Sequence, residues 1–421
     1  MQADLIIYNI GTLITPKTKN LPVKGKKMSD VKIIKHAFIA IKDGNIKDFG
    51  GYDYQNLVGP NTIMHNAEGN LVMPGLVDSH THLVYGGSRE DEFIDKIEGV
   101  PYLDILKRGG GILNTVEKTR KATFDELYDK AYKSLNEMLL LGVTTVEAKS
   151  GYGLNEETEL KQLEVAKKLN KNHAIDIVST YLGAHAVPKE FKKNNRGYVD
   201  EVIRIMEIVK EKELAEFVDV FLEDSVFNKE ETARILINAE RLDFKLKLHA
   251  DEIVPLGGAT LAAKLNASSA DHLMAIDEEG ILSLSKVNTV ANLLPSTSFY
   301  LNKDFAPARK MIDNNVSVSI SSDYNPGSSP SENFQFSMQL AANKLKMYPN
   351  EIVTASTINA AYNLRRSETI GSIEIGKKAD IVIFNSKNLN YLLYHFGVNH
   401  TKDVFKNGVL VVKNRQLVEE K

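Results

Sequence analysis

The sequence predicts an α/β protein: a (β/α)8 TIM barrel carrying a small discontinuous β-sandwich built from both termini. Two observations predict it. The middle of the chain alternates apolar, β-branched runs with amphipathic helical patterns, whereas both ends carry only short strands and tight turns. Eight unbroken apolar strands separated by helices suit a closed parallel barrel, in which both faces of every strand are covered.

From residue 2 to 73 the runs DLIIYNIGTLI and AFIAIKDGNIKDFG read as strands, with Asp43-Gly44 as a two-residue hairpin turn. The eight barrel strands are expected at GLVDSH (75 to 80), GVTTVEAK (142 to 149), IDIVSTYLGAH (175 to 185), FVDVFLE (217 to 223), FKLKLH (244 to 249), SSADHL (268 to 273), NTVANLLP (288 to 295) and SVSISSD (317 to 323). The helices between them have their own punctuation. Thr123 with Glu126 forms a capping box, Gly142 stops that helix, and Asn155 opens the next with acidic residues in its first turn. A helix over about 350 to 364 leads back to the sandwich, where SIEIGKKADIVIF reads as two strands and Asn407-Gly408 as a second hairpin turn. Residues 1–73 and 357–421 are therefore expected to form one composite sandwich around a barrel of residues 74–356.

Composition narrows the function. The 52 basic and 55 acidic residues of the 421 leave a net charge of -3, with no electrostatic footprint for nucleic acid or an anionic membrane. No apolar run approaches the roughly 18 residues of a membrane span, and the N-terminus lacks the basic and small-residue pattern of a secretory leader. A cytoplasmic protein acting on a small molecule is expected. Cysteine is absent, so any metal must sit on His, Asp, Glu, a modified Lys or water.

Five of the ten histidines, His80, His82, His185, His249 and His272, fall at or beside the C-terminal ends of expected barrel strands, the face on which barrel active sites are built. A lone histidine there is ordinarily structural; five together with Asp323 are a site. His80 and His82, two apart on an extended chain, point the same way. With His249 and Asp323 they make an N3O set suited to one zinc or iron ion. Glu252, three residues beyond His249 in HADE, is placed to move a proton, with Asp251 beside it as competitor. His272 is placed to polarise the water or the scissile carbonyl. The fourth strand ends with Glu223 where a metal-bridging modified lysine would stand, and Lys149 ends the second strand, which favours a single ion. GSIEIGKK (371 to 378) lacks the Ser/Thr of a phosphate loop and precedes no helix.

MPGLVDSHTH, HADE, ADH, the strand-end Asp323 and GSIEIGKKADIVIF resemble the amidohydrolase superfamily of metal-dependent hydrolases over nearly the whole chain. HLVYGGSREDEF, TTVEAKSGYGL, YLGAHAVP, HADEIVPLGGA and SSDYNPGSSPS narrow the resemblance to the branch that hydrolyses 4-imidazolone-5-propanoate to N-formimidoyl-L-glutamate in histidine degradation. The resemblance implies a metal on His80, His82, His249 and Asp323, and catalysis by Glu252, His272 and Asp323. It also implies a substrate pocket of Arg89, Tyr152, His185, Glu252, Asn325, Gly327 and Ser328, and a homodimer. Arg89 can clamp the propionate bidentately, although from spacing alone a salt bridge to Glu90 or Asp91 comes first. Tyr152 can reach the ring, and the turn Asn325-Pro326-Gly327-Ser328 can aim backbone N–H groups at a carboxylate. The glycines Gly109 to Gly111 read equally as a lid or as a loose helix end.

Two rivals remain on sequence once a metal-free binder of an imidazole acid, which fails to explain Glu252 and His272, is set aside. A nucleobase deaminase uses the same HxH, HxxE, His and Asp set, but a neutral base gives no reason for Arg89. A non-catalytic assembly protein on this scaffold does not explain an intact ligand set.

Overall fold

A computed structural model describes residues 2–18, 21–51, 53–100, 110–224 and 226–418. Gly109 lies outside the described residues; Gly110 and Gly111 lie within them.

Seventeen strands among these residues form two sheets. The first sheet takes β1 (Leu5–Pro16), β2 (Val31–Lys42), β3 (Asn45–Gly51), β4 (Ile63–Asn66) and β5 (Leu71–Pro74) from the N-terminal side. The second is the barrel: β6 (Leu76–Asp78), β7 (Val143–Lys149), β8 (Asp176–Ala184), β9 (Phe217–Val220), β10 (Lys245–Ala250), β11 (Ser269–His272), β12 (Val290–Leu293) and β13 (Val318–Ile320). The chain then returns to the first sheet with β14 (Ile381–Phe384), β15 (Thr401–Lys406), β16 (Val409–Lys413) and β17 (Gln416–Leu417).

All eight expected barrel strands are present and pair in parallel, in chain order. The seam between the last strand and the first is closed just beyond their ends, where Asp323 N–H donates to the His80 carbonyl (3.1 Å) and His82 N–H to that of Tyr324 (2.9 Å). The helix Phe124–Leu140 starts in the expected capping box at Thr123 and turns its Leu127, Ala131, Leu135 and Met138 inward. The helix Glu156–Asn172 is capped by Asn155. The expected helix over 350 to 364 is instead two, Pro349–Ser356 and Ile358–Asn363, broken at Thr357. The break lets Ala360, Ala361 and Leu364 plug the N-terminal mouth of the barrel against Val77, Val178 and Phe217. Everything reactive must then open at the other end.

The first sheet joins both ends of the chain, with β14 hydrogen-bonded to β5. Its strands are mixed rather than purely antiparallel, since β1 pairs in parallel with β4 and β5. Both hairpin turns have the left-handed pair of residues that a type I′ turn demands: Asp43 and Gly44 at φ 51° and 75°, Asn407 and Gly408 at 49° and 76°. The two turns touch, because a Cβ on Gly44 would lie 2.9 Å from the Asn407 carbonyl. The sheet thus curls over its own cluster of Ile7, Ile39, Ile41, Ile46, Ile381 and Phe405. Only IVIF of the expected pair in SIEIGKKADIVIF is a strand. Around SIEI the chain turns inward instead: Ile373 N–H is held by the Thr15 hydroxyl (2.8 Å) and Gly376 N–H by the Ile46 carbonyl (2.8 Å), leaving no free ladder.

Candidate metal centre and active site

The C-terminal ends of β6, β10 and β11 and the residues after β13 converge. The ligating atoms of His80, His82 and His249 lie within 4.8 Å of one another, and so do those of His80, His272 and Asp323. Asp323 Oδ1 is 3.4 Å from His80 Nε2 and 3.6 Å from His82 Nε2. Burial holds His80, His82 and His272 well below the ordinary imidazole range, so their rings are neutral donors. His249 goes the other way, because Asp219 behind it outweighs burial.

The tautomer of His80 is set from behind. Its Nδ1 is 2.6 Å from Asp271 Oδ2, which accepts that proton and turns the Nε2 lone pair to the cluster. His249 Nδ1 lies 2.9 Å from Asp219 Oδ2, an ion-pair contact without the alignment of a hydrogen bond. His80 Nε2, His249 Nε2 and Asp323 Oδ1 are buried and have no hydrogen-bond partner among the described residues. Buried acceptors in this state are costly, and converging ones fit a cation.

Glu252 stands over this cluster, 14% exposed, with Oε2 3.5 Å from His272 Nε2. Burial, aided by the charges of Asp323 and Glu223, raises its carboxyl to about 8. Its competitor Asp251 is spent elsewhere: its carboxylate accepts the N–H groups of Gly258 (2.9 Å) and Ala259 (2.8 Å). Glu223, far from bridging metals, accepts the Ile253 N–H (2.8 Å) and so fixes the loop that carries Glu252. Lys149 points its ammonium into a nest of carboxylates, 2.7 Å from Asp219.

On the other flank His185 stacks on His82 with ring centroids 4.8 Å apart, donating from Nδ1 to the Gly151 carbonyl (3.0 Å). The Tyr152 ring sits 5.3 Å from His185 and 5.7 Å from His82. Asp323 Oδ2 accepts hydrogen bonds from Thr297 and Ser328, the latter at 3.3 Å. Burial raises Asp323 to about 6. Asn325 shapes the turn: its Oδ1 accepts the N–H groups of both Gly327 and Ser328 (2.8 Å each). Those two donors are therefore committed within the turn rather than aimed at a ligand.

The cation beside the turn is Arg89. A Cβ on Gly327 would sit 2.1 Å from Arg89 Nη1, so glycine is what admits the guanidinium there. Arg89 pairs with neither Glu90 nor Asp91 but with Glu92 (3.1 Å), because the chain turns through a 3-10 segment at Glu90–Glu92. Glu92 also accepts the Gly111 N–H (2.7 Å), and Gly111 opens the helix Ile112–Lys121. Sequence reasoning missed Asp219, Asp271 and Glu147, charged residues inside apolar strands; that interruption was the available signal.

The fold and site together define a hydrolase with a candidate metal centre, and the chain belongs to the amidohydrolase family, whose model matches residues 71–411. Its similarity is narrower still. Imidazolonepropionases from Fusobacterium nucleatum and Alkaliphilus metalliredigens are 55% identical over 98% and 51% identical over 99% of this chain, each along its entire length, and the chain belongs with them. Among solved structures, a zinc-containing adenosine deaminase from Xanthomonas campestris superposes with a TM-score of 0.73 at 19% identity, covering 100% of this chain and 95% of its own. Guanine deaminase from E. coli gives 0.73 at 15%, covering 97% and 99%. These last two share the fold.

Proposed function

We infer that the protein hydrolyses 4-imidazolone-5-propanoate, opening its cyclic amide to give N-formimidoyl-L-glutamate. The observation that carries this is the convergence of His80, His82, His249 and Asp323 beneath Glu252, with Arg89 against Gly327 as a cation for the propionate. Its 55% identity to an imidazolonepropionase supports the same substrate.

His80, His82, His249 and Asp323 would hold one divalent or trivalent ion, zinc or iron. When bound, such an ion acidifies water and polarises an amide carbonyl. Glu252 takes a proton from the attacking water as its oxygen adds to the ring carbonyl carbon, Asp323 assisting. His272, neutral and buried, donates to the developing oxyanion. The ring C–N bond breaks as Glu252 returns the proton to the departing nitrogen. Arg89 orients the propionate, while Tyr152 and His185 wall the ring, and Asn325, Gly327 and Ser328 shape the end at which the tail lies. The division into a composite sheet unit, 1–73 with 357–421, and a barrel, 74–356, belongs to this reading, as do a cytoplasmic location and a homodimer. The apolar cluster that one face of the sheet keeps to itself, with Ile7, Ile39, Ile381 and Phe405, supports the division, while the other face, with Leu71, Met73, Val382 and Phe384, packs into the barrel's cluster.

The test is loss of imidazolonepropionate absorbance on adding metal-loaded protein. Glu252→Gln is expected to lower turnover by about 10²-fold or more while retaining the ion. Undiminished turnover in that variant would remove Glu252 from the chemistry, and ammonia release from purines without imidazolone loss would make the protein a deaminase.

A further inference from the structure

Directly behind the donor atoms the barrel holds five charged side chains, each at most 1% exposed: Glu147 and Lys149 on β7, Asp219 on β9, Lys247 on β10 and Asp271 on β11. Burying charge is expensive, and packed hydrocarbon of the same volume is often as stable. So many in one place call for a role. Lys149 is the hub. Its Nζ is 2.7 Å from Asp219 Oδ2, 3.1 Å from Glu147 Oε1 and 3.7 Å from Asp271 Oδ2. The second lysine, Lys247, reaches instead to Glu147 (3.0 Å) and the Ser79 carbonyl (3.1 Å).

The oxygens that Lys149 approaches are the ones that face the imidazoles. Asp219 Oδ2 lies 2.9 Å from His249 Nδ1, and Asp271 Oδ2 accepts from His80 Nδ1 at 2.6 Å. One ammonium therefore stands behind two histidines that enter the cluster from different strands, β10 and the end of β6. A carboxylate freed from it could rotate about χ2 and let its imidazole turn; with it, the His80 ring is held by a hydrogen bond and the His249 ring by an ion-pair contact before any ion arrives.

We propose that Lys149 is a positioning residue of the metal centre, anchoring Asp219 and Asp271 together so that His249 and His80 present Nε2 as one preset pair. This rests on the metal-binding reading of the site. Three carboxylates around Nζ also fix Lys149 as an ammonium rather than a metal-bridging carbamate.

The measurement is Zn²⁺ affinity of the metal-stripped protein, by competition with a chromophoric chelator. Lys149→Met and Lys149→Gln are each expected to weaken binding roughly 10- to 100-fold, as loss of the partners behind metal ligands does. Asp219→Asn and Asp271→Asn are expected to couple, their effects on affinity being non-additive with Lys149 present and additive in Lys149→Met. Wild-type affinity in both lysine variants would overturn the proposal, and so would full coupling that persists without the lysine. Should the lysine variants fail to fold, the asparagine cycle decides alone: strict additivity with Lys149 present rules out a shared anchor. Failure of the unaltered protein to take up any ion would instead overturn the metal reading itself.

Discussion

At the scale of single residues, the site is marked by backbone as well as side chains. His272, Asp323 and Asp251 adopt left-handed conformations, with φ of 76°, 55° and 48°, which cost energy for any residue with a Cβ. The costly angles fall at the ends of barrel strands, where the chain must re-aim a donor within one residue. Histidines elsewhere are bound differently. His173, at the end of the helix Glu156–Asn172, accepts the Ile175 N–H at Nδ1 (3.0 Å) and reaches Asn136 Oδ1 from Nε2 (3.1 Å). Both ring nitrogens are satisfied only in the neutral form, and burial lowers its pKa to about 4. The unfolded ring takes up a proton near 6.5 while the folded one resists it. Its contribution to stability is therefore complete above pH 6.5 and lost as pH falls toward 4, by up to about 3 kcal/mol. Urea unfolding of the wild type and His173→Asn across this window checks it; parallel declines in the two proteins would mean that His173 does not titrate this way.

At the scale of elements, the loop carrying Tyr152 is built by the helix after it. Glu159 accepts the N–H groups of Gly151 (3.1 Å), Gly153 (2.8 Å) and Leu154 (2.8 Å), and Gln162 accepts that of Tyr152 (3.2 Å). Glu159→Gln replaces an acceptor with a donor facing donors. It is expected to cost about 1–3 kcal/mol of stability and to lower kcat/KM for the imidazolone about tenfold, leaving Zn²⁺ affinity unchanged. An unchanged kcat/KM would separate the loop from substrate binding. None of this could be read along the chain, although the strands and their ends could. A run such as VTTVEAK announces a strand because Val143, Thr144, Thr145 and Val146 are β-branched, and His249 at the end of FKLKLH announces a site because of where strands end. Glu147 and Lys149 interrupt such a run, but their partners come from β9, β10 and β11, and that depends on strand register across the barrel. Arg89 shows the same limit at short range. Its partner is three residues on, not one or two, because of a local turn that no pattern of charges encodes. SIEI alternates like a strand, yet lateral capping by Thr15 and Ile46 decides its path.

At the scale of the molecule, the donor set spans the one place where the barrel is joined end to end. His80 and His82 follow the first strand, Asp323 follows the last, and among the described residues the backbone hydrogen bonds that close these ends run between His80 and Asp323 and between His82 and Tyr324. An ion held by both sides acts as a clip across that seam. Ions that bind only the folded chain stabilise it by mass action, about 4 kcal/mol at ~1,000 times Kd. Here the effect should also be local. Stripping the metal with a chelator is expected to lower the melting temperature and to speed amide hydrogen exchange in 76–83 and 318–325 more than in 143–149, which lies on the neighbouring strand but contributes no ligand. Exchange that accelerates equally in all three segments would show that the ion stabilises the barrel as a whole, and no change at all would mean that the seam holds without it.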